Sequence, residues 1–232
     1  MNSSVCNFFA VARIARIVVP GGPHHVVQRG NHRAPVFFGP DDYALYRDLL
    51  ALETRRAEVA VWAWCLMPNH VHLILTPGGG GGLAGAIGRT HRRYAGFVNA
   101  RARRTGHLFQ ERFSPAPMDE AHLMAAFAYV SLNPLRAKLV ERAEDWPWSS
   151  LRAHLGLGGD GLTDTAPAFE RVERFRDLIE SPPGAPAFSA FRKAETIGRP
   201  MGDDAFIQSL ETRLGRNLRP AKPGPKPKNN SI

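Results

Sequence analysis

Two apolar, β-prone runs, residues 59–66 and 70–76, are joined by a Pro68-Asn69 turn. That pattern reads as an antiparallel hairpin. The second run, His70-Val71-His72-Leu73-Ile74-Leu75, carries histidines at i and i+2. In a strand those residues share a face, about 6–7 Å apart along the chain. Two imidazoles so placed can converge on one metal ion, while Val71 and Leu73 point the other way into a core. Pairs of this kind also occur as structural features, so the motif fixes a fold element before it fixes a chemistry.

The partner class follows from charge. Lys plus Arg number 30 against 21 for Asp plus Glu, a net charge of +9. That balance favours a polyanion, nucleic acid first and a membrane surface second. No apolar run approaches the roughly 18 residues of a membrane span. The two cysteines, Cys6 and Cys65, suggest neither a disulfide framework nor a metal cluster, and a reducing cytoplasm fits them. Residues 1–12 make a poor signal peptide and read as a disordered extension.

Along the chain, His24 to Arg29 reads as a strand, and Val36-Phe37-Phe38 is expected to pair back on it. Gly39-Pro40-Asp41-Asp42 opens a helix with Asp as its cap. The five glycines at 78–82 lack the Gly-Lys-Ser/Thr of a phosphate loop and read as a connector. A basic helix is expected over residues 83–104, a strand over 108–113, and a helix over 120–132 that Pro134 ends. Beyond residue 155, helices are expected over 168–179 and 203–214. The basic, acid-free stretch 216–232 reads as a disordered tail. Helices interleaved with hairpin strands indicate an α+β fold with an antiparallel sheet.

On the helix after Asp119, Tyr129 and Asn133 lie at i and i+4, hence on one face. A phenol can act as a nucleophile, and an amide oxygen suits Mg²⁺ or Mn²⁺. Each residue also has a plain structural reading: a half-buried tyrosine, and an Asn-Pro helix terminator. Tyr94, in the basic helix, is the rival nucleophile. Arg89, Arg92, Arg93, Arg101, Arg103 and Arg104 of that helix, with Arg29 and Arg112, read either as a solvated face or as phosphate contacts on a nucleic acid, which would position it without reading sequence.

The ordered blocks Pro23-His24-His25-Val26-Val27-Gln28-Arg29-Gly30-Asn31, Leu66-Met67-Pro68-Asn69-His70-Val71-His72-Leu73, Gly106-His107-Leu108-Phe109-Gln110-Glu111-Arg112-Phe113, Tyr129-Val130-Ser131-Leu132-Asn133-Pro134-Leu135-Arg136-Ala137 and Trp146-Pro147-Trp148-Ser149-Ser150 resemble the REP-associated tyrosine transposases. These are relatives of the single-strand transposases of the His-hydrophobic-His class. The resemblance implies a ferredoxin-like α+β core, with a central antiparallel sheet flanked by helices, over residues 13–155. A helical extension over 156–215 would follow.

The resemblance further implies that His70 and His72 bind the metal, Mg²⁺ or Mn²⁺, that Tyr129 is the nucleophile, and that Asn133 is the polar ligand one turn later. The wider class commonly has glutamine there, and asparagine is shorter. The implied activity is cleavage and joining of single-stranded DNA through a 5′-phosphotyrosine, at hairpins formed by palindromic repeats. The setting would be cytoplasmic and nucleoid-associated, with a homodimer as one assembly, since related insertion-sequence enzymes share sites between subunits. Two other readings stay open: a hairpin binder without turnover, and a metal-dependent hydrolase in which Tyr129 is structural.

Overall fold

Two split strand–helix–strand units interleave. The first is β1 (His24–Arg29), α1 (Pro40–Arg56) and β2 (Val59–Met67). The second is β3 (His70–Pro77), α2 (Gly82–Arg101) and β4 (Ser114–Pro117). The sheet order is β2-β3-β1-β4 with every neighbouring pair antiparallel, so each unit straddles a strand of the other. This is the ferredoxin-like α+β arrangement. The computed structural model describes residues 15–182, 184, 188, 189, 191 and 198–219. The expected extension 1–12 and residues 220–232 of the expected tail lie outside them.

Strand alternation sorts the sheet into two faces. Val26, Trp64, Val71, Leu73 and Leu75 pack with Tyr46, Leu50, Ile87 and Tyr94 of α1 and α2. Ala63, Cys65 and Ile74 face the other way and pack with α3 (Glu120–Arg136) through Leu123, Phe127 and Val130. A bulge between Val61 and Ala63 keeps β2 in register with both faces.

Several elements differ from the sequence-based expectation. Residues 36–38 form no strand. Their amides turn to the hairpin instead, Val36 and Phe37 N–H donating to Pro68 O at 2.9 and 3.3 Å. Of the 108–113 stretch, Phe109 forms an isolated bridge to Gly30, just past β1, and the strand that pairs with β1 is β4, Ser114-Pro115-Ala116-Pro117. Its two prolines are tolerable only on an edge strand, and they hide it from a propensity argument. α1 begins on Pro40 after Gly39, with no side-chain cap. Asp42 accepts instead from Phe38 N–H at 2.8 Å. α3 runs through Pro134 to Arg136, because a proline in the last turn forfeits a single bond. The 168–179 helix is split into α5 (Ala166–Phe169) and α6 (Phe175–Glu180).

The Trp146–Ser150 stretch closes the outer edge of β2. Leu66 N–H donates to Trp148 O, Ser150 N–H donates to Trp64 O, both at 2.9 Å, and Trp146 Nε1–H donates to Leu66 O. A capped edge cannot template another strand. Beyond α4 (Leu151–His154), Asp160 accepts from Trp64 Nε1–H at 2.9 Å, and Phe175 of α6 stacks on His154. α7 (Asp204–Leu214) brings Leu210 onto Ile17 and Val19. Among the described residues no helix is long and apolar enough to cross a membrane.

Candidate active site

β3 sends His70, His72 and Ile74 to the α3 face. Cross-strand register places Val27 opposite His72 and Arg29 opposite His70. His72 is fully buried and His70 half-buried. The rings of His70 and His72 stand edge to face with centroids 4.8 Å apart. Asn69 orients the first ring: its Nδ2 donates to Arg33 O at 3.0 Å, which turns Oδ1 toward His70 Nδ1 at 2.6 Å. An amide oxygen only accepts, so the His70 proton sits on Nδ1 and Nε2 keeps its lone pair. The close approach behind Asn69 depends on Gly30, where a Cβ would clash with Ala34 O.

Sequence reasoning gave no role to His25, although it lies within a quoted motif. The structure stacks His25 parallel to His72, with centroids 5.3 Å apart, and sets His25 Nε2 3.1 Å from His72 Nδ1. His72 Nε2 is buried with no hydrogen-bond partner among the described residues. A buried nitrogen without a partner costs free energy unless something occupies it. If His72 Nδ1–H donates to His25, His72 Nε2 carries a lone pair beside that of His70. Burial lowers the pKa of His25 and of His70 to about 3, and holds that of His72 well below the usual value. The charges of Arg29 and Arg136 add to the effect on His72. All three rings are therefore neutral at pH 7, the form that ligates metals.

α3 delivers the phenol. The Tyr129 ring meets His72 edge-on at 5.4 Å and His25 edge-on at 6.1 Å. Because α3 continues past Pro134, Arg136 stands two turns on from Tyr129, its guanidinium carbon 5.2 Å from the ring centroid. Arg136 was also missed; the helix end expected before Pro134 hid it. Phe191 stacks on Tyr129 at 5.1 Å and Phe188 packs on its edge, leaving the tyrosine 4% exposed. Asn133 shares the helix face, and its Nδ2 is buried without a partner. Among the described residues no three of His, Cys, Asp and Glu converge on a point.

Tyr94 lies on the opposite face of the sheet. It is fully buried between α1 and α2, and its hydroxyl donates to Val36 O at 2.6 Å. Burial pushes that phenol up. Tyr94→Phe is expected to cost about 1–3 kcal/mol of stability, because it leaves a buried carbonyl unpaired. Chemical denaturation checks this, and DNA chemistry should be untouched.

The candidate DNA arginines separate into two groups. Arg89 and Arg93 bond Glu53 at 2.7 and 2.9 Å, and Arg101 bonds Asp42 at 2.8 Å. Both acids are 1% exposed, so these three arginines are engaged in ion pairs that tie α2 to α1, with Glu53 shared by two of them. Arg92, Arg103 and Arg112 form no ion pair among the described residues, and Arg104 donates only to Asn99 Oδ1 at 3.3 Å. Arg29 stands at the rim, opposite His70.

The pattern of the family described as "Transposase IS200 like" matches residues 20–133, which carry both histidines, Tyr129 and Asn133. This chain belongs to the IS200-like transposase family. The transposase fold is similar to that of a REP-associated tyrosine transposase solved bound to a REP hairpin. The two chains are 19% identical with a TM-score of 0.51, and the likeness covers 66% of this transposase and 89% of that chain. A candidate transposase from Deinococcus radiodurans is 19% identical with a TM-score of 0.36, over 58% of this transposase and 97% of that chain. No curated protein matches the transposase.

Proposed function

We propose that this transposase cuts and rejoins single-stranded DNA at hairpins formed by palindromic repeats, with Tyr129 as the nucleophile. One observation carries the reading: of the four tyrosines, Tyr129 is the one placed against the histidine pair, edge-on to His72. The other three, Tyr43, Tyr46 and Tyr94, belong to the core on the opposite face of the sheet. In the reaction the phenolic oxygen bonds to phosphorus and the P–O3′ bond breaks. The 3′-oxygen leaves as a hydroxyl, taking up a proton equivalent to the one the phenol gives up. Attack by another 3′-hydroxyl reverses the step, so the bond energy stays in the phosphotyrosine and no nucleotide is consumed.

His70, His72 and Asn133 would hold Mg²⁺ or Mn²⁺, and the orphaned His72 Nε2 supports that assignment. When bound, such an ion supplies Lewis-acid polarisation of the phosphodiester. The donors are all neutral, so the ion would keep its full charge toward phosphate. The positive charges of Arg29 and Arg136 both act on His72. The histidines and Tyr129 meet within one chain. In this reading residues 13–155 carry the reaction, and 156–215 form the extension from which Phe188 and Phe191 reach Tyr129.

A denaturing gel of the full chain with end-labelled single-stranded hairpins and Mn²⁺ tests the reading. A covalent adduct lost on chelation is the expected result. Tight binding without an adduct would favour a hairpin binder lacking turnover, a reading supported by the two phenylalanines over Tyr129. Cleavage without an adduct would favour a hydrolase.

The metal assignment gives a second expected outcome. His25→Phe keeps a flat ring on His72 but removes the atom that meets His72 Nδ1. Loss of such an outer partner typically weakens metal binding about 10–100-fold. Calorimetric titration with Mn²⁺ should show that loss with the fold intact; an unchanged affinity would make His25 a packing residue.

A further inference from the structure

The helix that carries Tyr129 brings a cation to the same place. Tyr129, Asn133 and Arg136 follow one another by four residues and then three, so they form a single stripe on α3. Side chains on a helix lean toward its N-terminus, and Arg136 reaches back over the turns before it. Its guanidinium carbon comes to 5.2 Å from the Tyr129 ring centroid and 4.6 Å from that of Phe188. Arg136 is exposed, whereas Tyr129 is buried. Solvent, and an incoming strand, reach the guanidinium before the phenol.

Arg136 makes no hydrogen bond or ion pair among the described residues. Arg89, Arg93 and Arg101, by contrast, each bond a carboxylate. Two ordinary roles would account for a cation here. One is to complement the dipole at the end of α3, which an arginine extended into water would do equally well. The other is to hold Phe188 through a cation–π contact, a weak attraction at an exposed site. Neither role uses the five N–H donors, a planar fork that matches two oxygens of a phosphate. A guanidinium against the candidate nucleophile, with its donors unpaired, suits an anion that arrives with the substrate.

We propose that Arg136 is a further catalytic residue, donating N–H bonds to the non-bridging oxygens of the phosphate that Tyr129 attacks. The proposal rests on the reading of Tyr129 as the nucleophile. The phosphodiester carries one negative charge before attack and again in the phosphotyrosine, and in between that charge is spread over its equatorial oxygens. Donors fixed beforehand around those oxygens stabilise the transition state without reorganising. Arg136 stays protonated and exchanges no proton, so the balance of bonds broken and formed is unchanged.

The test removes the charge that Arg136 would meet. A neutral methylphosphonate replaces one linkage at a time along the single strand flanking a labelled hairpin. With the full chain in EDTA, fluorescence anisotropy reads affinity apart from the metal-dependent reaction. At one linkage the wild type should lose about tenfold in affinity, and Arg136→Gln should lose less than about twofold. On the all-phosphate hairpin with Mn²⁺, Arg136→Gln should form the covalent adduct about 10²–10³-fold more slowly at saturating protein. An arginine that only holds Phe188 over Tyr129 predicts an equal or faster adduct, because its loss frees the phenol. Equal losses in wild type and variant at every linkage, or an undiminished adduct rate in Arg136→Gln, overturn the role. Coupling at one linkage in EDTA, with no adduct from the wild type in Mn²⁺, keeps Arg136 on a backbone phosphate and sinks the Tyr129 reading. A wild-type protein that binds no hairpin overturns both.

Discussion

Tyr129→Phe is expected to abolish the covalent protein–DNA product, a loss of about 10⁴-fold or more, as removal of a catalytic nucleophile typically gives. The substitution deletes one oxygen and retains the ring. Phe191 stacked on that ring, Phe188 on its edge and the His72 edge contact all survive. Stability should change by no more than the worth of one hydrogen bond, about 0.5–1.5 kcal/mol. Hairpin affinity should hold, since the candidate DNA arginines are untouched. The variant thus separates chemistry from binding, and a denaturing gel reads the first while fluorescence anisotropy reads the second. An adduct that persists in Tyr129→Phe would sink the assignment of the nucleophile. Tyr94 would not be the replacement: its hydroxyl is bonded to Val36 O across the sheet from the histidines. At 4% exposure, Tyr129 meets a phosphodiester only when Phe188 and Phe191 shift. Adduct formation should therefore be slower than hairpin binding in the wild type as well.

The hairpin and its histidine pair were legible in the sequence because strand alternation is local. Val71, Leu73 and Leu75 fix one face, and His70 and His72 must then take the other. Tyr129 and Asn133 were legible for the same reason, through helical spacing. What was not legible depends on contacts distant in the chain. His24 and His25 are adjacent, so they point to opposite faces. Only pairing with β3 shows that His25 joins His72 while His24 accepts from Val19 N–H at 3.0 Å. The arginines of α2 look alike in sequence, and they separate only where Glu53 and Asp42 of α1 dock against them. β4 was obscured by its prolines, and Arg136 by the assumption that Pro134 ends a helix. Phe188 and Phe191 carry no local signal, since an aromatic residue far along the chain does not announce what it covers.

Acidification from pH 7 to about pH 5 is expected to unfold the protein, through rings buried without charge. Burial lowers the pKa of His24 to about 4, and that of His25 and His91 to about 3. In the unfolded chain each would titrate near 6.5. A depressed folded pKa means that the unfolded state binds the proton first, so stability is complete above about pH 6.5 and falls as pH drops toward 3. At pH 5 each such ring costs about 2 kcal/mol, and these three together about 6 kcal/mol. That already matches the whole stability of many domains, about 5–15 kcal/mol. His70, His72 and His154 shift in the same direction for the same first cause. Below about pH 4 the paired acids Asp42, Glu53 and Asp160, also lowered, would add to the loss. Circular dichroism across a pH series should show a cooperative transition above pH 4, steeper than one proton can produce. A single-proton slope, or a folded protein at pH 4, would mean that these rings charge without leaving the core, and the buried, neutral state of His25 would go with them.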